Sequence, residues 1–304
     1  MDAMFQKRKS PVPPNQGLGQ LAIALCAICW STSGLFIKLL NWHSVVIAGG
    51  RSFIAALFML TIRYMAPPKK APAYIRGKNH ILVTAAGGCC YAGAMITFVI
   101  ANKLTASANV ILLQYSAPVW ACLLAWLLIK EKPSWEHWTA LVLVGGGMIL
   151  FFKDGLETRA VTGDIIAVIS GIFFGANSVF MRMQKDGNPA DSMLLSHIVT
   201  ALFAVPFFIM FFPTFTLPAT AAITFMGIVQ IGCASLLFSY GIKRVNAIQA
   251  MLTASIEPVL NPLWVLIVMG EMPSSSALLG GAVILFAVIF SSTIRPIMAS
   301  IRKY

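Results

Sequence analysis

Three side chains that can ionise stand deep inside long apolar runs: Arg51, His197 and Glu257. Glu257 lies about 11 residues into its run, roughly 16 Å along a helix axis at 1.5 Å per residue. That is mid-depth of a hydrocarbon core about 30 Å thick. A carboxylate there must face protein or a watery cavity. Such a group can carry a proton, or answer the charge of a solute. Gln249, Thr253, Glu257, Asn261 and Trp264 recur at steps of four, four, four and three, which places them on one helix face. That face either lines a polar cavity or forms a hydrogen-bonded seam between helices.

Arg51 has two readings. Its planar fork suits a substrate carboxylate, or it partners an acid, Glu257 first among them, or backbone carbonyls. His197 is a proton-relay candidate or a hydrogen-bonded packing residue. Polar-tipped aromatics fall at the same depth: Trp30, Tyr91, Tyr115, Trp120 and Tyr240. Gln114 and Asn177 add amides. These groups can stack on a flat or amphipathic solute, or they can pack helices together. Pro118 and Pro258 each remove a backbone bond inside an apolar run, freeing the carbonyls of residues 114 and 254. They are candidate hinges, or fixed kinks. The expected substrate contacts are Trp30, Tyr91, Gln114, Tyr115, Trp120, Asn177, Thr253, Glu257 and Asn261, with Glu257, Arg51 and His197 as the coupling or charge-pair group.

Enzyme chemistry has little to stand on. The six cysteines, including the Cys26-x-x-Cys29 pair, lie in apolar runs with no second pair and no nearby His. No metal-ligand spacing, nucleophile pair or phosphate loop is present, so neither a metal nor a cofactor is expected. Gly145-Gly146-Gly147 and Gly280-Gly281 read as small-residue surfaces for close helix approach.

The elements that position these residues follow from composition. The chain has 304 residues, 58% hydrophobic and only 11% charged, with a mean hydropathy of +0.82. Ten apolar runs are predicted as transmembrane helices, over 18–40, 44–65, 80–101, 106–129, 135–152, 162–183, 190–212, 218–241, 246–269 and 273–294. No soluble domain fits between them, and period-two alternation is lacking. The net charge of +12 sits in the short connections, so it reads as membrane topology rather than nucleic-acid binding. Place residues 1–17 in the cytoplasm and count alternate loops. Only Lys38, Lys103, Lys153 and Arg159 then fall outside, and Arg51 falls within a span. Every other Lys and Arg falls inside, Lys7, Arg63, Lys130, Arg182, Lys243 and Arg302 among them. The expectation is a multi-pass protein of the bacterial inner membrane with both termini cytoplasmic.

A shift of 140 residues makes the halves echo each other. Ala117-Pro118 falls on Glu257-Pro258, Glu131-Lys132-Pro133 on Glu271-Met272-Pro273, Phe98 on Phe238 and Gly87 on Gly227. Five spans per copy is odd, so the second copy enters from the opposite side. Two inverted repeats with a mid-membrane site are a transporter arrangement. The expected fold is an all-α membrane protein of ten helices in two inverted five-helix repeats. The domains are 1–17 as an arm, 18–153, 162–294, and 295–304 as a cytoplasmic tail.

The stretch Asn102-Lys103-Leu104-Thr105-Ala106-Ser107-Ala108-Asn109, followed by Ala117-Pro118-Val119-Trp120 and Lys130-Glu131-Lys132-Pro133, resembles the EamA-type repeat of the drug/metabolite transporter superfamily. Glu257-Pro258-Val259-Leu260-Asn261-Pro262-Leu263, closed by Gly270-Glu271, resembles its second copy. The resemblance implies a proton-linked or facilitative carrier with a central cavity, comparable first to YddG-type amino-acid exporters. Ala117 stands where a symmetric pattern would have an acid. The function expected is secondary-active transport of small polar organic solutes, as an exporter of amino acids or related metabolites by alternating access. A channel or a membrane-embedded enzyme are the alternatives. Partners implied are a small-molecule solute, the lipid bilayer and protons, with the carrier a monomer or homodimer.

Overall fold

The computed structural model describes residues 15–32, 36, 40–66, 78–105, 107–153, 161–260, 264, 267 and 275–301. Among these every regular element is helical. The helices are α1 (Gln16–Ser31), α2 (Ser44–Met65), α3 (Lys78–Leu104), α4 (Ser107–Gln114), α5 (Ala117–Ile129) and α6 (Trp135–Phe152). Then come α7 (Val161–Met183), α8 (Ala190–Met210), α9 (Leu217–Phe225), a π-helical segment (Met226–Cys233), α10 (Ala234–Ile242), α11 (Ala247–Ala254) and α12 (Ser275–Ile301). Six stretches are long and apolar enough to cross a bilayer: Ser44–Met65, His80–Ala101, Val110–Ile129, Val161–Met183, Ala190–Met210 and Leu217–Ile242. Gln16–Ser31, Ala247–Leu260 and Leu278–Ser291 are shorter apolar helices.

Helix ends follow local chemistry. The Asn246 side chain accepts the Gln249 N–H at 2.7 Å and starts α11. Thr216 accepts from Ala219, with Pro218 in the first turn of α9. Ser134 and His137 form a reciprocal cap on α6. Lys130 stops α5 in the left-handed region, at φ 57.

Two spans expected as single helices are broken. The fourth is interrupted at Tyr115–Ser116 between α4 and α5, and the ninth at Ser255–Ile256 after α11. The breaks lie 140 positions apart, three and two residues before Pro118 and Pro258. The cause is shared. Neither proline has an N–H for the carbonyl one turn back. The preceding turn tightens instead, with Ser116 N–H to Leu113 O at 3.1 Å and Ile256 N–H to Thr253 O at 3.3 Å. The eighth span departs differently, carrying the π-helical segment where a plain helix was expected.

In lipid, close packing rather than water exclusion holds helices together. The contacts come in exchange-related pairs. α3 packs on α7 as α1 packs on α10, and α4–α5 pack on α7 as α11 packs on α1. α2 meets α8, and α6 meets α12. Glycines repeat the pattern. A Cβ at Gly163 would meet Thr105 and Leu104, and one at Gly19 would meet Val245 and Arg244. Gly87 lies against Ser192 of α8, and Gly227 against Ile54 and the Arg51 carbonyl of α2. Of the glycine triplet in α6, only Gly147 makes a close approach, with a would-be Cβ 3.0 Å from the Gly280 carbonyl. The buried core joins Trp30, Tyr91, Phe174 and Phe238 with alanines and methionines of seven helices. Large apolar side chains such as Val142, Leu202, Ile209 and Leu217 point outward.

Candidate functional site

The matched breaks meet. Tyr115, at the first break, donates its hydroxyl to Glu257 Oε2, just beyond the second, at 2.5 Å. Tyr115 is buried, but Glu257 keeps accessible surface. Pairing with Arg51 does not occur as an ion pair. The ion pairs among the described residues are Arg63–Asp191 and Arg182–Glu131. Arg51 is only 7% exposed. Its Nη1 donates to Gln230 Oε1 in the π-helical segment at 3.2 Å, and its Nη2 reaches the Met95 sulfur at 3.7 Å. His197 Nε2 is 2.8 Å from Ser235 Oγ, and its ring stands edge-on to Tyr91 at 6.1 Å.

An aromatic layer continues the site. Trp30 lies 6.4 Å from Tyr91, 5.7 Å from Phe174 and 5.6 Å from Phe238, centroid to centroid. Trp30 Nε1, Arg51 Nε, Gln230 Nε2 and both amide atoms of Asn177 are buried without a hydrogen-bond partner. Each such group costs about 1–3 kcal/mol unless something fills its bonds. Asn177 is completely enclosed, at 0% exposure. Trp120 is part-exposed and donates to Ser116 Oγ at 3.1 Å.

Other expected contacts are engaged elsewhere. The Thr253 hydroxyl donates to Gln249 O of its own helix at 2.9 Å, and Gln249 Nε2 to Ser291 Oγ of α12 at 3.3 Å. That part of the face is a seam between helices. Gln114 Nε2 donates to Ser170 Oγ at 2.9 Å, which donates on to Ala94 O. Tyr240 is 41% exposed with the Arg244 guanidinium 3.4 Å above its ring, so its ring is engaged by a cation of its own segment. Trp264 Nε1 donates to Ser31 Oγ at 2.8 Å. Asn261 lies outside the described residues. Pro118 falls in the first turn of α5, and Pro258 in the turn that carries Glu257.

Ala117 sits at a close helix contact. A Cβ on Gly175 of α7 would lie 2.7 Å from the Ala117 carbonyl and 2.9 Å from the Ala121 nitrogen. The backbones touch there, and Ala117 is fully buried. Ala117 is enclosed at this backbone contact and carries no carboxylate, so among the described residues Glu257 is the acid at the paired breaks. Gln230 was missed because a single Gln in an apolar run has no spacing to mark it. Gly171 and Gly175 form a G-x-x-x-G that the sequence displays openly.

Against known proteins, the profile described as the EamA-like transporter family matches residues 17–153 and again residues 161–293. The chain belongs to the EamA-like transporter family. This EamA-like chain is 24% identical over 278 residues to the transporter YwfM of Bacillus subtilis, covering 90% of the chain and 93% of YwfM. It is 25% identical over 276 residues to a transporter of Archaeoglobus fulgidus, covering 90% of the chain and 96% of that protein. It is 27% identical to mouse solute carrier family 35 member G1 over 199 residues, 62% of the chain and 52% of that carrier. A solved crystal structure shares the fold at a TM-score of 0.75 and 18% identity, covering 91% of this chain and 96% of that one. The relatives are named as transporters or as a solute carrier. The protein is a multi-pass membrane transporter working on a small-molecule substrate.

Proposed function

We propose that the protein is a secondary-active transporter of small polar organic solutes that works by alternating access of a mid-membrane site. In this reading ten spans form two inverted five-helix repeats, and both termini face the cytoplasm of a bacterial cell. The observation that carries it is the meeting of two helix breaks, 140 residues apart, at the Tyr115–Glu257 hydrogen bond. Discontinuous helices at matched positions are where carriers of inverted symmetry hold their substrate. The exchange-related helix contacts support the same symmetry. Trp30, Tyr91 and Trp120 line one side, Glu257 carries a proton or answers solute charge, and the turns before Pro118 and Pro258 act as hinges. Export of amino acids or related metabolites is the specific role, supported by the resemblance to YddG-type exporters.

Purified protein in liposomes tests this. It should accumulate labelled solute by counterflow without ATP. Ion conductance in place of counterflow, across amino acids, amines and sugars, would select the channel reading instead.

A further inference from the structure

We infer that one edge of the Arg51 guanidinium, the edge formed by Nε and Nη2, receives a carboxylate group of the transported solute. This rests on the transporter reading and names the chemical class of its cargo.

The partners of Arg51 are sorted by edge. Nη1 is held by Gln230 Oε1 at 3.2 Å. On the other side Nε has no partner, and Nη2 meets only the Met95 sulfur at 3.7 Å. Nε–H and the outer Nη2–H of a guanidinium point the same way, spaced to meet both oxygens of a carboxylate. A thioether is a weak acceptor on a flexible side chain, easily moved aside. Met95 is part-exposed, so this cover has room to move. Gln230, 1% exposed, holds a further buried N–H group without a partner beside the same guanidinium.

Charge points the same way. A guanidinium this deeply buried needs an anion close by, because leaving it alone costs several kcal/mol. No carboxylate lies within ion-pair distance among the described residues. The nearby acid, Glu257, accepts its hydrogen bond from Tyr115. The backbone has been shaped to hold this arrangement. The π-helical segment turns Gln230 toward α2, and Gly227 lets that segment sit against the Arg51 carbonyl, with a would-be Cβ 3.0 Å away. π-helical insertions of this kind concentrate at functional sites. Trp30 stacks on Tyr91 and meets Phe174 edge-on in the same core, an aromatic setting suited to a ring or chain attached to the acid.

Matched acids and amides separate this from shape recognition. The probes are benzoate with benzamide, phenylacetate with phenylacetamide, and L-phenylalanine with L-phenylalaninamide. They are applied to wild-type protein in nanodiscs, with thermal stabilisation as the readout. At least one acid should stabilise at a concentration about tenfold or more below that needed by its amide, as a charge-assisted pair of bonds requires. Arg51→Lys keeps the charge but loses the edge, and should remove most of that difference while leaving the response to amides in place. If Arg51→Lys does not reach the membrane, Gln230→Met should narrow the difference at similar side-chain volume. An acid–amide difference absent from the wild type, or unchanged in both variants, overturns the proposal. Counterflow in liposomes tells the two levels apart. Equal counterflow of acid and amide keeps the transporter and sinks the carboxylate site. Conductance without counterflow of any probe sinks the transporter reading, and this inference with it.

Discussion

Under the proposed function, Glu257 is the residue assigned to coupling. Its one described hydrogen bond, from Tyr115, crosses between the two broken spans. A gain or loss of its proton therefore changes a bond between the two halves. Glu257→Gln keeps the shape, loses the titratable group, and should flatten the pH dependence of transport while exchange persists. Tyr115→Phe removes a hydrogen bond, worth about 0.5–1.5 kcal/mol. It should lower the melting temperature in detergent and leave the pH dependence in place. Rate-against-pH curves in liposomes check the first, and thermal unfolding the second. A Glu257→Gln carrier with an unchanged curve would make Glu257 a wall residue. Much of this centre was legible in the sequence, because an acid in an apolar run is conspicuous on cost alone. Its partner was not. Arg51 was the obvious counter-charge, but a phenol at the matched break lies closer, and no spacing rule foresees an approach across 142 positions.

At the scale of elements, the first bend packs against bare backbone. Gly175 presses on the Ala117 carbonyl at 2.7 Å and Gly171 on the Gln114 carbonyl at 2.9 Å, measured from would-be Cβ atoms. Both contacts are with backbone, which cannot swing away. Gly175→Ala should therefore cost about 1–3 kcal/mol by overpacking. Gly145→Ala, which would touch nothing within 4 Å, should stay within about 0.5 kcal/mol. Paired thermal melts decide this, and an equal loss at both sites would remove the packing argument. Pro118→Ala and Pro258→Ala restore an N–H to each break and should let the helices run straighter. Slower transport with unimpaired stability is the expected result, and an unchanged turnover would reduce the breaks to fixed kinks. The sequence announced these bends through two prolines in register. It gave no sign of the π-helical segment, since Met226–Cys233 reads as ordinary apolar helix. Only the fit of Gly227 and Gln230 against α2 gives that distortion a reason.

For the whole molecule, the decisive question is what holds one end of the bundle together. Three of the basic residues that the loop count puts on one side, Arg63, Arg182 and Lys243, tie helix ends to one another. Arg63 at the end of α2 pairs with Asp191 at the start of α8. Arg182 at the end of α7 donates to Glu131 Oε1 and to the carbonyls of Ile242 and Lys243, each at 3.0 Å. Lys243 donates to Gly187 O at 2.8 Å. The Arg63–Asp191 and Arg182–Glu131 ties cross between the two halves, while the bonds to Ile242, Lys243 and Gly187 join helices within the second, so an opening that parts the halves at that end must break the first two. They are not equal in strength. The Arg63 and Asp191 side chains are 45% and 26% exposed, and a pair so open to water contributes about 0–1 kcal/mol. The Arg182 side chain is 11% exposed and bonds to three acceptors, two of which are carbonyls at a helix C-terminus. Charge-assisted bonds in that setting reach about 1.5–3 kcal/mol. A loss of about 1.4 kcal/mol multiplies the open population tenfold. Arg182→Ala should thus raise the open fraction at this end by tenfold or more, and Arg63→Ala by severalfold at most. A single cysteine introduced at Ser239, in the buried face of α10, reports the change through its rate of alkylation by a membrane-impermeant maleimide in sealed right-side-in and right-side-out vesicles. Faster labelling of the Arg182→Ala protein from the side that also reaches cysteines introduced at Ser10 and Ser300 would place the ties at the cytoplasmic end, as the positive charges require. Labelling that quickens from the opposite side, or equally for both variants, would show that these bonds do not govern which end is open.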